Sequence, residues 1–284
     1  MLYNFNGELI EGSELETSIY NRGLNYGDGV FETLRFGNNR LNFWEDHYFR
    51  LMSSMRIMRM EIPMTFSPEF LEKEIRDTIE ATQSQENSNN FRVKILINRK
   101  PGGLYTPESN EIDYLISLSP LKDDKFVLND KALEIDLYKD FYKQKGMLSN
   151  LKLASSPLMT LASIFKKENQ LDECLLVNDE KYLAEAISSN VFIVQNSKLR
   201  TPSLDSGCLK GIIRKKIIEI AGKMEIEVEE VSKLSPFDLQ KADEIFLSNS
   251  IKGIQWVGKY RKKNYTNELS SKLIQKLNIM AALN

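Results

Sequence analysis

The sequence is poor in the residues that proteins most often use for metal binding and proton transfer. Its 284 residues include one histidine, His47, and two cysteines, Cys174 and Cys208. One histidine excludes a zinc site built from several, and a serine–histidine or cysteine–histidine enzyme would have to use His47, which has no nucleophile motif beside it. Because the two cysteines are far apart, they support neither a disulfide framework nor a zinc knuckle. We expect no metal site and a reducing, cytoplasmic environment.

An excess of charge and long apolar runs are also missing. The chain has 38 basic and 40 acidic residues, a net charge of -2 at pH 7, which gives no basic surplus to hold a nucleic-acid backbone. No run approaches the ~20 apolar residues of a membrane span, and the start of the chain lacks the pattern of a signal peptide. The basic run KYRKK at 259–263 is typical of a solvated loop. We therefore expect neither a nucleic-acid nor a membrane partner.

What is present is an ordinary globular composition, 42% hydrophobic and 27% charged. The order of patterns predicts an α+β fold in two domains with a cleft between them. The segment SPLKDDK at 119–125 separates a smaller N-terminal domain, 1–121, from a larger C-terminal domain, 126–284. Predicted strands cover 2–6, 31–36, 91–98, 112–118, 132–138, 173–177, 191–195 and 244–248. Predicted helices cover 44–60, 68–81, 157–169, 211–222 and 268–282. The polar segment 83–90 is predicted to be an exposed loop.

Three positions could carry chemistry, although each has an ordinary structural explanation. Lys152 lies between two leucines, and a lysine held in a pocket has a lowered pKa and can attack an aldehyde, whereas most lysines are solvated. Glu185 lies between two alanines and could face a pyridine nitrogen, or could be an exposed turn residue. Gly211 precedes an amphipathic helix, so the amides of Ile212 and Ile213 could hold an anion, although glycines before helices are common.

Taken in order, these segments and several others resemble the class IV aminotransferases, the fold-type IV pyridoxal-phosphate enzymes. That family includes branched-chain and D-amino-acid aminotransferases and aminodeoxychorismate lyases. The resemblance spans nearly the whole chain, and its specificity comes from the order and spacing of the pieces. The matching pieces are NRGLNYGDGVFETLRF at 21–36, HYFRL at 47–51, Lys152, the DE of LDECLLVN at 171–178, LAEAISSNVFIV at 183–194, the TP of KLRTPSL at 198–204, LKGIIR at 209–214 and ADEIFLSNS at 242–250.

The resemblance implies pyridoxal 5'-phosphate as cofactor, held in the interdomain cleft of a two-domain α+β enzyme. Lys152 is similar to the lysine that forms the Schiff base, and Glu185 to the partner of the pyridine nitrogen. The other implied cofactor contacts are Arg50 with the phosphate, Asn190 behind the glutamate, and Ile212, Ile213 and Ser250 with the remaining phosphate oxygens.

The same resemblance implies a small-molecule amino acid and a 2-oxo acid as substrates. Tyr26, Glu32 and Arg92 fall where the family lines its substrate pocket, partly from the second subunit of a homodimer. Arg92 or Arg99 would hold the substrate carboxylate through paired hydrogen bonds.

Three departures argue against a standard branched-chain enzyme. Ile213 stands where the family commonly has a hydroxyl residue, Pro157 where branched-chain members have a tyrosine, and Ser155 where an asparagine often follows the lysine. The leading prediction is an aminotransferase. An aminodeoxychorismate lyase, which releases pyruvate and 4-aminobenzoate, is the alternative, and a non-catalytic binding protein is the least favoured.

Overall fold

The computed structural model describes residues 2–83, 86 and 88–283. The chain divides into two compact units: residues 1–125 with Lys152–Ser155, and Phe126–Leu151 with Ser156–Asn284. The α+β fold in two parts is confirmed. Of the predicted polar loop at 83–90, Ser84, Gln85 and Asn87 lie outside the described residues.

The first unit is a six-stranded antiparallel sheet with the order β2-β1-β6-β5-β3-β4. Three helices accompany it. The strands are β1 (Leu2–Phe5), β2 (Glu8–Glu11), β3 (Gly29–Gly37), β4 (Arg40–Leu41), β5 (Phe91–Arg99) and β6 (Ile112–Pro120). The helices are α1 (Arg22–Tyr26), α2 (Trp44–Ile57) and α3 (Pro68–Gln83).

One face of this sheet forms the core with α2 and α3. In β5 the residues alternate between buried and half-buried, as expected for a strand with one face against a core. The buried positions, such as Val93 and Ile95, join Leu51 and Met55 of α2 and Ile75 of α3 in one hydrophobic cluster. The opposite face, which carries the half-buried positions of β5, is therefore the one free to bear polar chemistry.

A short segment after the main part of this unit returns to the sheet. The Phe31 amide donates to the Lys152 carbonyl and the Ala154 amide to the Gly29 carbonyl, both at 2.9 Å, while Val30 and Leu153 form an antiparallel bridge. Leu153 packs on the first core. This pairing explains why Lys152–Ser155 belongs to the first unit although it lies far along the chain.

The second unit is a nine-stranded mixed sheet with the order β12-β11-β10-β13-β14-β7-β8-β9, in which β15 pairs with β14. Its strands are β7 (Leu133–Lys143), β8 (Glu173–Asn178), β9 (Leu183–Ala186), β10 (Asn190–Gln195), β11 (Lys198–Pro202), β12 (Val228–Val231), β13 (Glu244–Asn249), β14 (Gly253–Tyr260) and β15 (Lys263–Asn264). Its helices are α4 (Pro157–Glu168), α5 (Ile212–Lys223), α6 (Pro236–Lys241) and α7 (Glu268–Leu283), with 3-10 turns at Met147–Asn150 and Leu204–Ser206.

The central strands of this sheet are buried along their whole length, since β8, β9 and most of β10 and β13 expose almost nothing. A carboxylate helps to fix the last helix against them. Glu244, which is buried in β13, accepts hydrogen bonds from the amides of Leu269 at 2.7 Å and Ser270 at 3.2 Å. It thereby satisfies amides that the first turn of α7 leaves unpaired.

Within the described residues, no helix is both long and apolar enough to span a bilayer. The same part of the chain contains no group of three or more histidine, cysteine, aspartate or glutamate side chains placed to bind a metal ion.

Candidate active site

Lys152 lies on the half-buried face of the first sheet, next to an aromatic ring. Its backbone pairs with Phe31, and its Nζ is 4.4 Å from the centroid of the Phe31 ring. An ammonium over a ring face is stabilised by cation–π attraction, while the ring removes water from one side of the amine. The strand pairing fixes the backbone of Lys152, so its amine has a defined place on this face.

Two further cations lie on the same face. Arg92 and Lys94 occupy alternate positions of β5, opposite Arg35 and Thr33 of β3, and Lys94 Nζ is 5.1 Å from the centroid of the Phe31 ring. Burial lowers the pKa of Arg92, and burial together with the charge of Arg92 lowers the pKa of Lys94. Among the described residues, neither side chain has a hydrogen bond or an ion pair. Two half-buried cations without a counter-charge favour an anionic ligand.

Glu32 and Arg50 are brought together on the opposite face of that sheet. Glu32 is opposite Ile95 of the core and is 1% exposed. Arg50 donates from Nε to Glu32 Oε1 at 2.7 Å and from NH2 to Oε2 at 2.6 Å. His47 Nδ1 lies 2.7 Å from the same Oε2. Glu32 therefore holds Arg50 in place and does not share the face that carries Arg92.

Burial would raise the pKa of Glu32, but the charge of Arg50 and the hydrogen bonds from both neighbours hold this pKa at about 2. Burial lowers the pKa of His47. We therefore assign a neutral imidazole whose Nδ1–H donates to Glu32, with Arg50 as the counter-charge of the carboxylate.

The other two predicted substrate residues of this unit lie in different surroundings. Tyr26 is exposed at the end of α1, its ring centroid 5.7 Å from that of Tyr105. Arg99 is buried, and its guanidinium donates to Asp28, to Asn110 and to two carbonyls at the end of α2. The Arg99 donors are thus engaged within the fold.

Glu185 is a buried carboxylate in β9, where its two oxygens have different partners. Lys143 Nζ lies 2.6 Å from Oε1, and the Leu209 amide donates to Oε2 at 2.7 Å. The flanking residues Ala184 and Ala186 are fully buried. The sequence allowed an exposed turn glutamate here, and the structure instead gives a strand residue that is 4% exposed.

Asn190 holds the chain segment that precedes α5. Its Nδ2 donates to the Leu209 carbonyl at 2.9 Å, so Glu185 and Asn190 bind the two sides of the same residue. A Cβ at Gly211 would overlap Asn190 Oδ1, and the φ of Gly211 is an ordinary -69°. Glycine is therefore required here by close approach to Asn190, which sets where α5 begins.

The start of α5 can accept an anion. Gly211 provides no side-chain cap. Among the described residues, the first amide of α5 with a hydrogen-bond partner is that of Lys215, which donates to the Gly211 carbonyl at 3.1 Å. The preceding amides of Ile212 and Ile213 belong to buried residues, and an uncapped helix start suits a phosphate. Ser250 follows β13, whose Ser248 pairs with Asn190; the Ser248 hydroxyl is buried without a partner in the described chain.

Each unit, taken by itself, has groups that suit one part of pyridoxal phosphate. The first unit offers an ordered lysine over an aromatic ring. The second offers a buried carboxylate, an uncapped helix start and an orphaned buried hydroxyl. An aldehyde, a pyridine nitrogen and a phosphate are the groups that these features would bind.

Comparisons with known proteins identify the family of this chain. The amino-transferase class IV family model matches residues 29–260. A D-alanine aminotransferase of Listeria monocytogenes is 26% identical over 257 residues, which cover 86% of this chain and 82% of that protein. The structure of a branched-chain aminotransferase from Thermoproteus uzoniensis with norvaline matches with a TM-score of 0.87, at 23% identity, over 99% of this chain and 95% of that one. A second solved branched-chain amino acid aminotransferase, which contains pyridoxamine 5'-phosphate, gives a TM-score of 0.85 at 22% identity, over 97% and 92%.

The fold and the family match define a pyridoxal-phosphate-dependent enzyme. The chain belongs to the class IV aminotransferase family, as the sequence predicted. The cofactor of this family is pyridoxal 5'-phosphate.

Two residues of the site were missed by the sequence reasoning. Lys94 could have been found, because the alternation in FRVKILINR places it on the same strand face as Arg92. Lys143 had no such signal, since it reaches Glu185 from a strand 42 residues away in sequence.

Proposed function

We propose that this enzyme transfers an amino group between an amino acid and a 2-oxo acid, with Lys152 as the residue that holds the cofactor and moves the proton. The observation that carries the proposal is the position of Lys152 on one sheet face with Phe31, Arg92 and Lys94. A site that accepts amino acids must hold at least one carboxylate beside the reacting amine, and this face has two cations without counter-charges.

Each remaining residue has a separate role in the proposal. The bound cofactor supplies the electron sink for chemistry at the substrate Cα. Glu185 faces the pyridine nitrogen, and the amides of Ile212 and Ile213 with Ser250 hold the phosphate. Arg50 also contacts the phosphate, with its guanidinium oriented by Glu32. Asn190 acts through the loop that it fixes.

Arg92 and Lys94 suggest the class of substrate. One cation suffices for the carboxylate that every α-amino acid carries. A second half-buried cation two residues away suits a dicarboxylic amino acid or 2-oxo acid, because an apolar side chain there would leave Lys94 desolvated without a counter-charge. Arg99 is less suited to this role, since its donors are used within the fold.

A lyase acting on a dicarboxylic substrate is the second candidate. It is favoured by Pro157, which is the first residue of α4 and offers no hydroxyl group, whereas the branched-chain members place a tyrosine there. The same lysine, carboxylate and cations would serve both reactions, and the products distinguish them.

The test mixes the purified enzyme, loaded with pyridoxal phosphate, with single L- and D-amino acids and follows the visible absorbance of the cofactor. Conversion to the pyridoxamine form, fastest with dicarboxylic amino acids, is the expected result. Failure of every amino acid would overturn the aminotransferase proposal. Release of pyruvate from aminodeoxychorismate without an amino acceptor would decide for the lyase.

We further propose a cytoplasmic homodimer. The support for a dimer is a group of exposed apolar side chains around α1 and the β5–β6 connection: Ile19, Leu24, Leu104 and Tyr105. Exposed apolar groups that cluster are typical of an interface. Support for the cytoplasm is that both cysteines are free and buried. Sedimentation should give the mass of two chains, and a Leu104→Ser, Tyr105→Ser double variant should shift it toward one.

A further inference from the structure

Lys143 forms an ion pair with Glu185 and has no role in the reaction described above. Their side chains are 13% and 5% exposed, and Lys143 Nζ lies 2.6 Å from Glu185 Oε1. β7 reaches this position through an irregularity in its pairing with β8, between Tyr138 and Lys143, after which Lys143 pairs with Asn178. Such irregularities re-aim a side chain, and here the result is a lysine placed against a buried carboxylate.

We propose that Lys143 is a positioning residue, which keeps Glu185 ionised and correctly oriented for the pyridine nitrogen of the cofactor. The inference rests on the proposed role of Glu185. A carboxylate in a buried strand takes up a proton unless a cation compensates it. A protonated Glu185 would lose its charge attraction for a pyridinium. Lys143 therefore supplies, before the cofactor binds, the charge balance that the site needs.

Other groups packed near Glu185 are neutral or have partners of their own. On the neighbouring strand β8 its partner is the apolar Leu176. From the loop before α5 come the Leu209 amide, which donates to Oε2, and the thiol of Cys208, whose pKa is raised by burial to about 11. That thiol stays neutral, and the nearby Arg214 pairs with Glu230 at 2.6 Å. Among the described residues, Lys143 is the one cation that forms an ion pair with Glu185.

If Lys143 has this role, its removal should make stability and cofactor affinity depend on pH, which the loss of a purely structural contact would not do. Without Lys143, the buried carboxylate of Glu185 has no counter-charge, so the folded chain favours its neutral form more than the unfolded chain does. The folded state then binds the proton more tightly than the unfolded state, so stability is retained at low pH and falls as the pH rises. Affinity for the cofactor moves in the opposite direction, because Glu185 is neutral at low pH and charged at high pH.

The experiment compares Lys143→Met, Glu185→Gln, the double variant and wild type, as full-length chains with and without cofactor, between pH 5 and pH 9. The midpoint of thermal unfolding of the chain without cofactor should fall with rising pH in Lys143→Met, by roughly 2–4 °C more than in the double variant. In titrations with pyridoxal phosphate, Lys143→Met should bind the cofactor about tenfold more weakly than wild type near pH 5. Its affinity should approach that of wild type near pH 9.

Two controls separate this role from loss of a lysine in general. Lys145→Met removes a lysine two positions away, whose partner Glu180 is exposed. This variant should keep the wild-type pH dependence of both the unfolding midpoint and the cofactor affinity. Lys143→Arg keeps the charge and should restore most of the wild-type behaviour.

Three outcomes would overturn the inference. A loss of stability in Lys143→Met that is constant across pH, with cofactor affinity like that of Lys145→Met, would make the pair merely structural. A pH-dependent loss of stability with unchanged cofactor affinity would remove the positioning role but leave the proposed function intact. Wild type that fails to bind pyridoxal phosphate would remove both.

Discussion

Arg50 holds Glu32 through two hydrogen bonds, Nε to Oε1 at 2.7 Å and NH2 to Oε2 at 2.6 Å. This pair lies between α2 and β3, on the face of the first sheet that packs against the helices. The fork-to-fork geometry fixes the plane of the guanidinium. The arginine that is proposed to reach the cofactor phosphate is therefore oriented by the core of its own unit.

We expect Arg50→Met to lower the free energy of unfolding by about 3–5 kcal/mol, because it leaves Glu32 buried without its counter-charge. Urea unfolding of the cofactor-free chain measures this loss. Adding Glu32→Gln should recover part of it, since the buried charge is then removed as well. If the double variant is as unstable as the sum of the single variants, the two side chains act independently.

The same pair predicts how the protein responds to acid. Burial alone would raise the pKa of Glu32, but Arg50 and His47 hold it at about 2, below the ~4.3 of an unfolded glutamate. The contribution of this group is therefore complete above about pH 5 and is lost as the pH falls toward 2. Burial also lowers the pKa of His47, so unfolding takes up a proton there below about pH 6.5, which acts in the same direction.

Between pH 5 and pH 3, the unfolding free energy of Glu32→Gln should fall less steeply with falling pH than that of wild type. The difference in slope should correspond to the uptake of up to about one proton on unfolding. Urea titrations at half-unit pH steps give the slope. The exposed Glu8→Gln serves as control and should keep the wild-type slope. Parallel slopes for wild type and Glu32→Gln would contradict the assignment of a strongly acidic Glu32.

Substrate preference is the third test. Lys94→Met should raise KM for dicarboxylic amino acids roughly 10- to 100-fold, the usual cost of a hydrogen bond to a charged group, and leave KM for monocarboxylic ones nearly unchanged. Arg92→Met should raise both. Lys73→Met, an exposed lysine paired with Asp77 on the outer face of α3, is the control. Equal changes for both substrate types in Lys94→Met would exclude a second carboxylate site.

The elements were more predictable from the sequence than the partners of the site residues. The alternation of FRVKILINR and the helical spacing from Trp44 predicted β5 and α2 nearly to their bounds, because one-sided burial leaves a periodic pattern. The helix predicted at 44–60 ends earlier, at Ile57, where Arg59 takes a left-handed conformation. The partners of Glu185 and Arg50 come from other strands and helices, and such distant pairings leave no local pattern.

The partners of Arg99 could not be predicted from the sequence either. The sequence shows a basic residue near a loop but not which groups it binds. Its guanidinium bonds to Asp28, Asn110 and the carbonyls of Met58 and Arg59. Arg99→Lys keeps the charge but loses this geometry, and should cost about 2 kcal/mol of unfolding free energy with little change in KM. The exposed Arg56→Lys is the matched control. A large rise in KM with unchanged stability would instead assign Arg99 to the substrate.

Gly211 and Gly222 lie at opposite ends of α5 and predict opposite results for the same substitution. A methyl group at Gly211 would overlap Asn190 Oδ1, whereas nothing lies within 4 Å of one at Gly222. Gly222→Ala should stabilise the chain by up to about 1 kcal/mol through helix propensity. Gly211→Ala should push the start of the helix away from Asn190, and weaken pyridoxal phosphate binding at least about tenfold because the amides of Ile212 and Ile213 lose their position. Equal cofactor affinity in the two alanine variants would show that the start of α5 does not hold the phosphate.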